Sequence, residues 1–144
     1  MKISTKGRYA LRMLIDLAEH NDKGFIALKE IAERQDISKK YLEQIIPILN
    51  RSGILITNRG YQGGYKLAKN PEDITVGEIL RNTEGSMAPV ACLEQTPNQC
   101  EKCSYCVTLP VWQGLEKVVN EYLDSISLQD IINQSKNRSG DYII

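Results

Sequence analysis

All four cysteines of this 144-residue chain fall within residues 92–106, as Cys92, Cys100, Cys103 and Cys106. Cysteines that serve as small core hydrophobes are scattered through apolar runs. These instead lie among Glu94, Gln95, Thr96, Asn98, Gln99, Glu101 and Lys102, so their grouping points to chemistry. Cys100, Cys103 and Cys106 are separated by two residues each, a spacing similar to loops in which thiolates wrap an iron–sulfur cluster. Zinc is the rival ligand. Structural zinc sites usually divide their ligands into two separated pairs, whereas here one cysteine stands apart and three are bunched. A thiol–disulfide switch and unligated thiols are the other readings. A redox enzyme using Cys100-Glu-Lys-Cys103 as a dithiol fits poorly, because such motifs sit on the strand-to-helix turn of a βαβ unit and the pattern contains none.

The net charge of zero hides a division. Residues 1–70 hold 13 Lys and Arg against 7 Asp and Glu, while residues 71–144 hold 5 against 11. A basic half joined to an acidic half suggests a polyanionic partner for the first half only. No run approaches the roughly 18 apolar residues of a membrane span, and the first residues lack the apolar stretch of a signal peptide. The expected compartment is the cytoplasm, where reductants keep thiols open and clustered cysteines serve metal or redox chemistry.

The elements around the loop follow from periodicity. Ala10, Leu11, Leu14, Ile15, Leu17 and Ala18 predict an amphipathic helix over residues 5–19. Leu28, Ile31 and Ala32 set a short second helix ending near Gln35. Ser38 is a good N-cap for a third helix whose buried stripe is Leu42, Ile45, Ile46 and Leu49, with Ser38, Lys40, Tyr41 and Gln44 on its other face. Pro47 should kink or loosen its last turn before Gly53. Residues 54–57 and 65–68 read as strands joined by the glycine-rich 58–64 turn. Three helices and a hairpin are the order of a winged helix-turn-helix, which lays its second motif helix in the major groove. Thr75 caps a short helix through Val76, Ile79 and Leu80; Thr108 caps a long one that tolerates Pro110 in its first turn. Trp112, Leu115, Val119, Tyr122 and Ile126 have the three-four spacing of a coiled-coil seam that wants a partner helix, packing on the chain's own domain being the alternative. The lone His20 reads as a solvated surface residue, and Tyr41 as a base contact or plain packing.

Ser4-Thr-Lys-Gly-Arg-Tyr-Ala10, Tyr41-Leu-Glu-Gln44, Arg59-Gly, Gly63-Gly-Tyr65 and Thr75-Val-Gly-Glu-Ile79 carry a resemblance to the bacterial winged-helix repressors that include IscR, NsrR and CymR. It runs over most of the chain. It implies a homodimer formed through the long helix, with DNA read by the third helix and wing. By position, Ser38, Lys40, Tyr41, Glu43 and Gln44 would lie on the recognition helix and Arg59 would enter a minor groove. Lys39 joins them among the basic residues in or near that face, with Lys2, Lys6, Arg8, Lys40, Arg51 and Arg59. The cluster-binding branch uses three cysteines before the long helix, and Cys92, Cys100 and Cys106 take those positions. Two departures stand out: Leu109 occupies the place of a histidine ligand, and Cys103 is an additional thiol and the first candidate for fourth ligand. CymR-like members lack the cysteine set.

The expected fold is mainly α with a small β wing. Residues 1–70 form the DNA-binding region, 71–91 a short helix and linker, 92–107 the cysteine loop, 108–136 the dimerisation helix with a short following helix, and 137–144 a tail. The expected function is transcription regulation, by repression of a palindromic double-stranded operator, and not catalysis. The expected cofactor is an iron–sulfur cluster, 2Fe–2S ahead of 4Fe–4S, with zinc as the alternative. The cluster-free alternative is a repressor of cysteine or sulfur metabolism controlled by thiol oxidation, zinc or a protein partner.

Overall fold

A computed structural model describes the backbone of residues 1–141 and the side chains of residues 1–138. Helix α1 (Thr5–Glu19) starts where Ser4 Oγ accepts from the Gly7 N–H at 3.2 Å, satisfying one of the N–H groups that a helix start leaves free. The same Ser4 donates through its N–H and hydroxyl to Glu84 at 3.1 and 2.8 Å, tying the start of α1 to the end of α4 (Val76–Glu84). Helix α2 (Leu28–Gln35) ends on Asp36, which adopts the left-handed conformation (φ 52°) that lets a short polar residue turn the chain. Ser38 then caps α3 (Lys39–Arg51), accepting from the Tyr41 N–H at 3.1 Å. Pro47 does not end that helix, which stays helical to Arg51 before Gly53, at φ 77°, turns it off.

Strands β1 (Leu55–Asn58) and β2 (Gly64–Leu67) pair antiparallel with Leu55 opposite Leu67 and Asn58 opposite Gly64. A third segment joins them, because Ile26 and Tyr65 exchange backbone hydrogen bonds of 2.9 Å in each direction. Only glycine fits at position 64, where a Cβ would run into the backbone carbonyl of Ile26. Asn50 Oδ1 accepts from the Thr57 hydroxyl at 3.0 Å, so the wing is also pinned to α3.

The core is continuous past residue 70. Met13, Leu14, Leu17, Ile31, Leu42, Ile45 and Leu49 pack with Ile74, Ile79, Leu128 and Ile132, so the expected DNA-binding region shares one interior with the later helices. Each such side chain removed from water contributes about 1.5–3 kcal/mol. Helix α6 (Leu128–Asp141) is therefore no short appendage, and it runs through Asn137–Asp141, where a tail was expected. Residues 142–144 of that tail lie outside the described residues. Backbone bonds from Val76 to Ile126 (2.9 Å) and from Leu128 to Ile74 (3.0 Å) stitch the segments before α4 and α6 together.

Among the described residues one charged side chain, that of Asp16, lies inside the core, 1% exposed. Arg34 and Gln35 on α2 donate to its carboxylate, which holds the Arg34 guanidinium charged, above its usual range. His20 is half-buried rather than fully solvated, with its Nδ1 2.7 Å from the Asp16 carbonyl oxygen.

Helix α5 (Leu109–Asp124) behaves differently from the rest, since none of its residues is buried. Its open apolar stripe is Val111, Leu115, Val118 and Tyr122, flanked by Trp112. It shares Leu115 and Tyr122 with the expected seam, but Val118 stands in place of the half-buried Val119, and Ile126 drops out. Ile126 lies beyond the helix and packs with Leu123 and Ile131 against Val76, Leu80 and Met87 of its own chain. The three-four spacing recurred because the segment has two apolar faces, one inward and one open.

Candidate nucleic-acid interface and cysteine loop

Helix α3 separates its residues cleanly: Leu42, Ile45, Ile46 and Leu49 are buried, while Ser38, Lys39, Lys40, Glu43, Gln44 and Asn50 are exposed. Between α3 and the wing runs an open groove whose polar lining includes Glu43, Asn50, Asn58 and Arg59. Lys39, Lys40 and Arg59 form no ion pair among the described residues, so their charge is free to meet an external anion. Tyr41 is half-buried, and its ring meets Tyr9 of α1 edge-on at 5.2 Å and 73°. Tyr61, at the wing tip, is 98% exposed.

The cysteine loop leaves α4 through a 3-10 turn, Ala91–Leu93, that carries Cys92. Asn98 Oδ1 accepts from the Cys100 N–H at 2.8 Å, and the Cys103 N–H bonds the Cys100 carbonyl at 3.2 Å, closing a turn across Cys100-Glu-Lys-Cys103. All four thiols are free, with Cys100 exposed and Cys92, Cys103 and Cys106 half-buried. Thr108 does not cap α5 through its side chain. Its backbone is helical rather than extended, and its hydroxyl meets Cys106 Sγ at 3.4 Å. That hydroxyl, then the Thr108 backbone N–H, hold the Cys106 thiol below its usual range, with smaller help from Leu109 and Lys102.

Among the described residues, no three His, Cys, Asp or Glu side chains stand where one metal ion would need them. In residue type alone the donor set suits a thiolate-bound group: four free thiols, that of Cys106 held below its usual range. Holding such a group requires the loop to gather its thiols.

A family model described as "Rrf2: Iron-dependent Transcriptional regulator" matches residues 3–134. The chain belongs to the Rrf2 family. It is 38% identical over 135 residues to the protein rrf2 of Nitratidesulfovibrio vulgaris, covering 94% of this chain and 89% of that one. It is also 38% identical over 144 residues to the transcriptional regulator CymR of Bacillus subtilis, covering 99% and 98%. The solved structure of T. potens IscR superposes with a TM-score of 0.75 at 41% identity, covering 94% of this chain and 88% of that one. The fold is thus the winged-helix arrangement, and this Rrf2 member is a transcriptional regulator, not an enzyme.

Within this Rrf2 chain the expected site residues fall into three places. Ser38, Lys39, Lys40, Glu43 and Gln44 share one exposed helix face, with Arg59 across the groove. Cys92, Cys100, Cys103 and Cys106 share the loop without converging. Trp112, Leu115 and Tyr122 are exposed on α5, and Val119 is half-buried. Sequence reasoning missed Val111 and Val118 on the open stripe, although their apolar types at four- and three-residue steps from Leu115 could have found them. It also missed the Asp16–Arg34 pair, whose signal was a lone carboxylate inside an apolar stripe.

Proposed function

We propose that this Rrf2-family chain is a cytoplasmic homodimeric repressor whose hold on a palindromic operator responds to iron–sulfur, redox or nitric-oxide status through a cluster in the cysteine loop. One observation carries the reading: four free thiols lie in the segment that leads straight into α5, the helix with the open apolar stripe. Ser38, Lys39, Lys40, Tyr41, Glu43 and Gln44 on α3 face the major groove, and Arg59 reaches the minor groove from the wing. Cys92, Cys100 and Cys106 hold the group, with Cys103 supplying the ligand that Leu109 cannot. Bound there, a cluster supplies a centre whose charge changes with electron transfer.

The chain's own contacts can pass such a change to the DNA face. Gathering the thiols pulls on the start of α5. Arg81 on α4 is bonded to Asp124 and, at 3.3 Å, to Asn120 on α5, and α4 packs on α1 and α3. A coupling of about 1–3 kcal/mol is typical of such links. No described helix is long and apolar enough to cross a membrane, which accords with the cytoplasmic placement.

The ungathered thiols and the similarity to CymR favour a second reading, a cluster-free regulator of cysteine or sulfur metabolism controlled by thiol oxidation, zinc or a protein partner. Anaerobic purification separates the two. Brown protein containing both iron and acid-labile sulfide, whose operator affinity changes when the cluster is removed, is the expected result. Colourless protein that takes up neither under reconstitution, yet binds its operator, would establish the second.

A further inference from the structure

Arg12 stands on α1, exposed and in no ion pair among the described residues. Its guanidinium instead holds the end of α2. Nη2 donates to the backbone carbonyl of Gln35, one of those that a helix end leaves without a partner inside the helix, and Nε donates to Gln35 Oε1 at 3.4 Å. The other end of the same amide, Nε2, donates to buried Asp16 at 3.0 Å, so α1 grips Gln35 from two sides. Just past Gln35, Asp36 takes its left-handed turn, Ile37 is buried and Ser38 caps α3. The reversal that aims α3 therefore begins at a fixed point. A second line of contact runs from the same guanidinium to α3 itself. Arg12 Cζ lies 5.4 Å from the Tyr9 ring centroid, and the Tyr9 ring meets Tyr41 in the first turn of α3.

We propose that Arg12 is a positioning residue for DNA recognition: it touches no base, and by bridging Gln35 and Tyr9 it fixes the angle at which α3 enters the major groove. This rests on the reading of α3 as the recognition helix. Lysine is no substitute, because a single ammonium cannot span a carbonyl, an amide oxygen and a ring face as the planar fork does. Hydrogen bonds to base edges weaken steeply with misalignment, whereas attraction to phosphates does not depend on sequence. Loosening α3 should therefore lower affinity for a preferred sequence and spare non-specific affinity.

The test uses the full chain and two duplexes, the palindrome that wild type enriches most from a randomised pool and a scrambled sequence of equal length. Affinities are measured across a salt series for wild type, Arg12→Met, Arg12→Lys, Tyr9→Leu, the Arg12→Met and Tyr9→Leu double variant, and Ile132→Val, which loosens the core from α6. Arg12→Met should lose about tenfold on the palindrome, the scale of one lost base contact, and little on the scrambled duplex, with its salt slope unchanged. Arg12→Lys should lose about as much. Tyr9→Leu should lose in the same direction, and the double variant should lose less than the two single effects multiplied, as residues in one chain of contacts do. Ile132→Val should lower the melting temperature and keep the preference for the palindrome. Equal losses on both duplexes with a shallower slope, restored by Arg12→Lys, would make Arg12 a phosphate contact and overturn the inference. A wild-type preference in Arg12→Met, or a preference lost equally in Ile132→Val, would overturn it too. If Arg12→Met does not fold, Arg12→Lys decides by the same comparison. A wild-type protein that enriches no sequence and binds both duplexes alike sinks the recognition-helix reading, and this inference with it.

Discussion

Arg34 reaches from α2 to both carboxylate oxygens of Asp16 on α1, with Nε 3.0 Å from Oδ2 and Nη2 2.7 Å from Oδ1. The pair is lopsided, since the Asp16 side chain is 1% exposed and that of Arg34 35%. Removing the arginine strands a buried charge, whereas removing the carboxylate leaves a guanidinium that water can reach. Arg34→Met should therefore destabilise by about 2–3 kcal/mol, below the 3–5 of a fully buried pair because Gln35 still donates and solvent screens the site. Asp16→Asn should cost less, about 1–2 kcal/mol. Urea unfolding measures both, and an equal or reversed order would refute the account.

DNA binding should weaken steeply with salt. If about four phosphates are met per subunit, log K against log salt should fall with a slope of roughly −7 for the dimer. Gln44→Ala should cost about 1–3 kcal/mol on the preferred site and little on random duplex, because Gln can pair bidentately with adenine. Equal losses on both duplexes would show that Gln44 reads no base.

Leu115→Asp combined with Val118→Asp places two charges on the open stripe of α5 and should yield monomers in sedimentation, with folding intact. Ile126→Ala should do the reverse, lowering stability by about 2–4 kcal/mol, since Ile126 packs within its own chain. A double mutant that remains dimeric would place the interface elsewhere.

Cys92→Ala, Cys100→Ala and Cys106→Ala should each abolish iron and sulfide uptake, whereas Cys103→Ala should reduce it or change its spectrum. A Cys103→Ala protein with wild-type spectrum and iron content would remove Cys103 from the ligand set.

The first three helices were legible because their signals are local. The apolar spacing and the caps at Ser4 and Ser38 sit within a turn of the ends they set. The strands came within one residue of the expected 54–57 and 65–68. Helix α6 was read too short because residues 135–141 carry no strongly apolar side chain; its anchoring comes from Leu128 and Ile132 in a core built largely by residues far earlier in the chain. The cysteine loop stood out by residue type, but that its four thiols do not converge depends on the course of the backbone, which no spacing reveals.

The Ile26–Tyr65 pairing and the Asn50–Thr57 bond anchor the wing on two sides, to the α1–α2 connection and to α3. A hairpin held that way has no hinge of its own. In the proposed dimer, a signal that alters promoter choice would then act by re-spacing two reading heads, and it should appear as sensitivity to the distance between operator half-sites. Adding or deleting a base pair at the operator centre would mimic that signal, while base changes under the wing would leave the response intact.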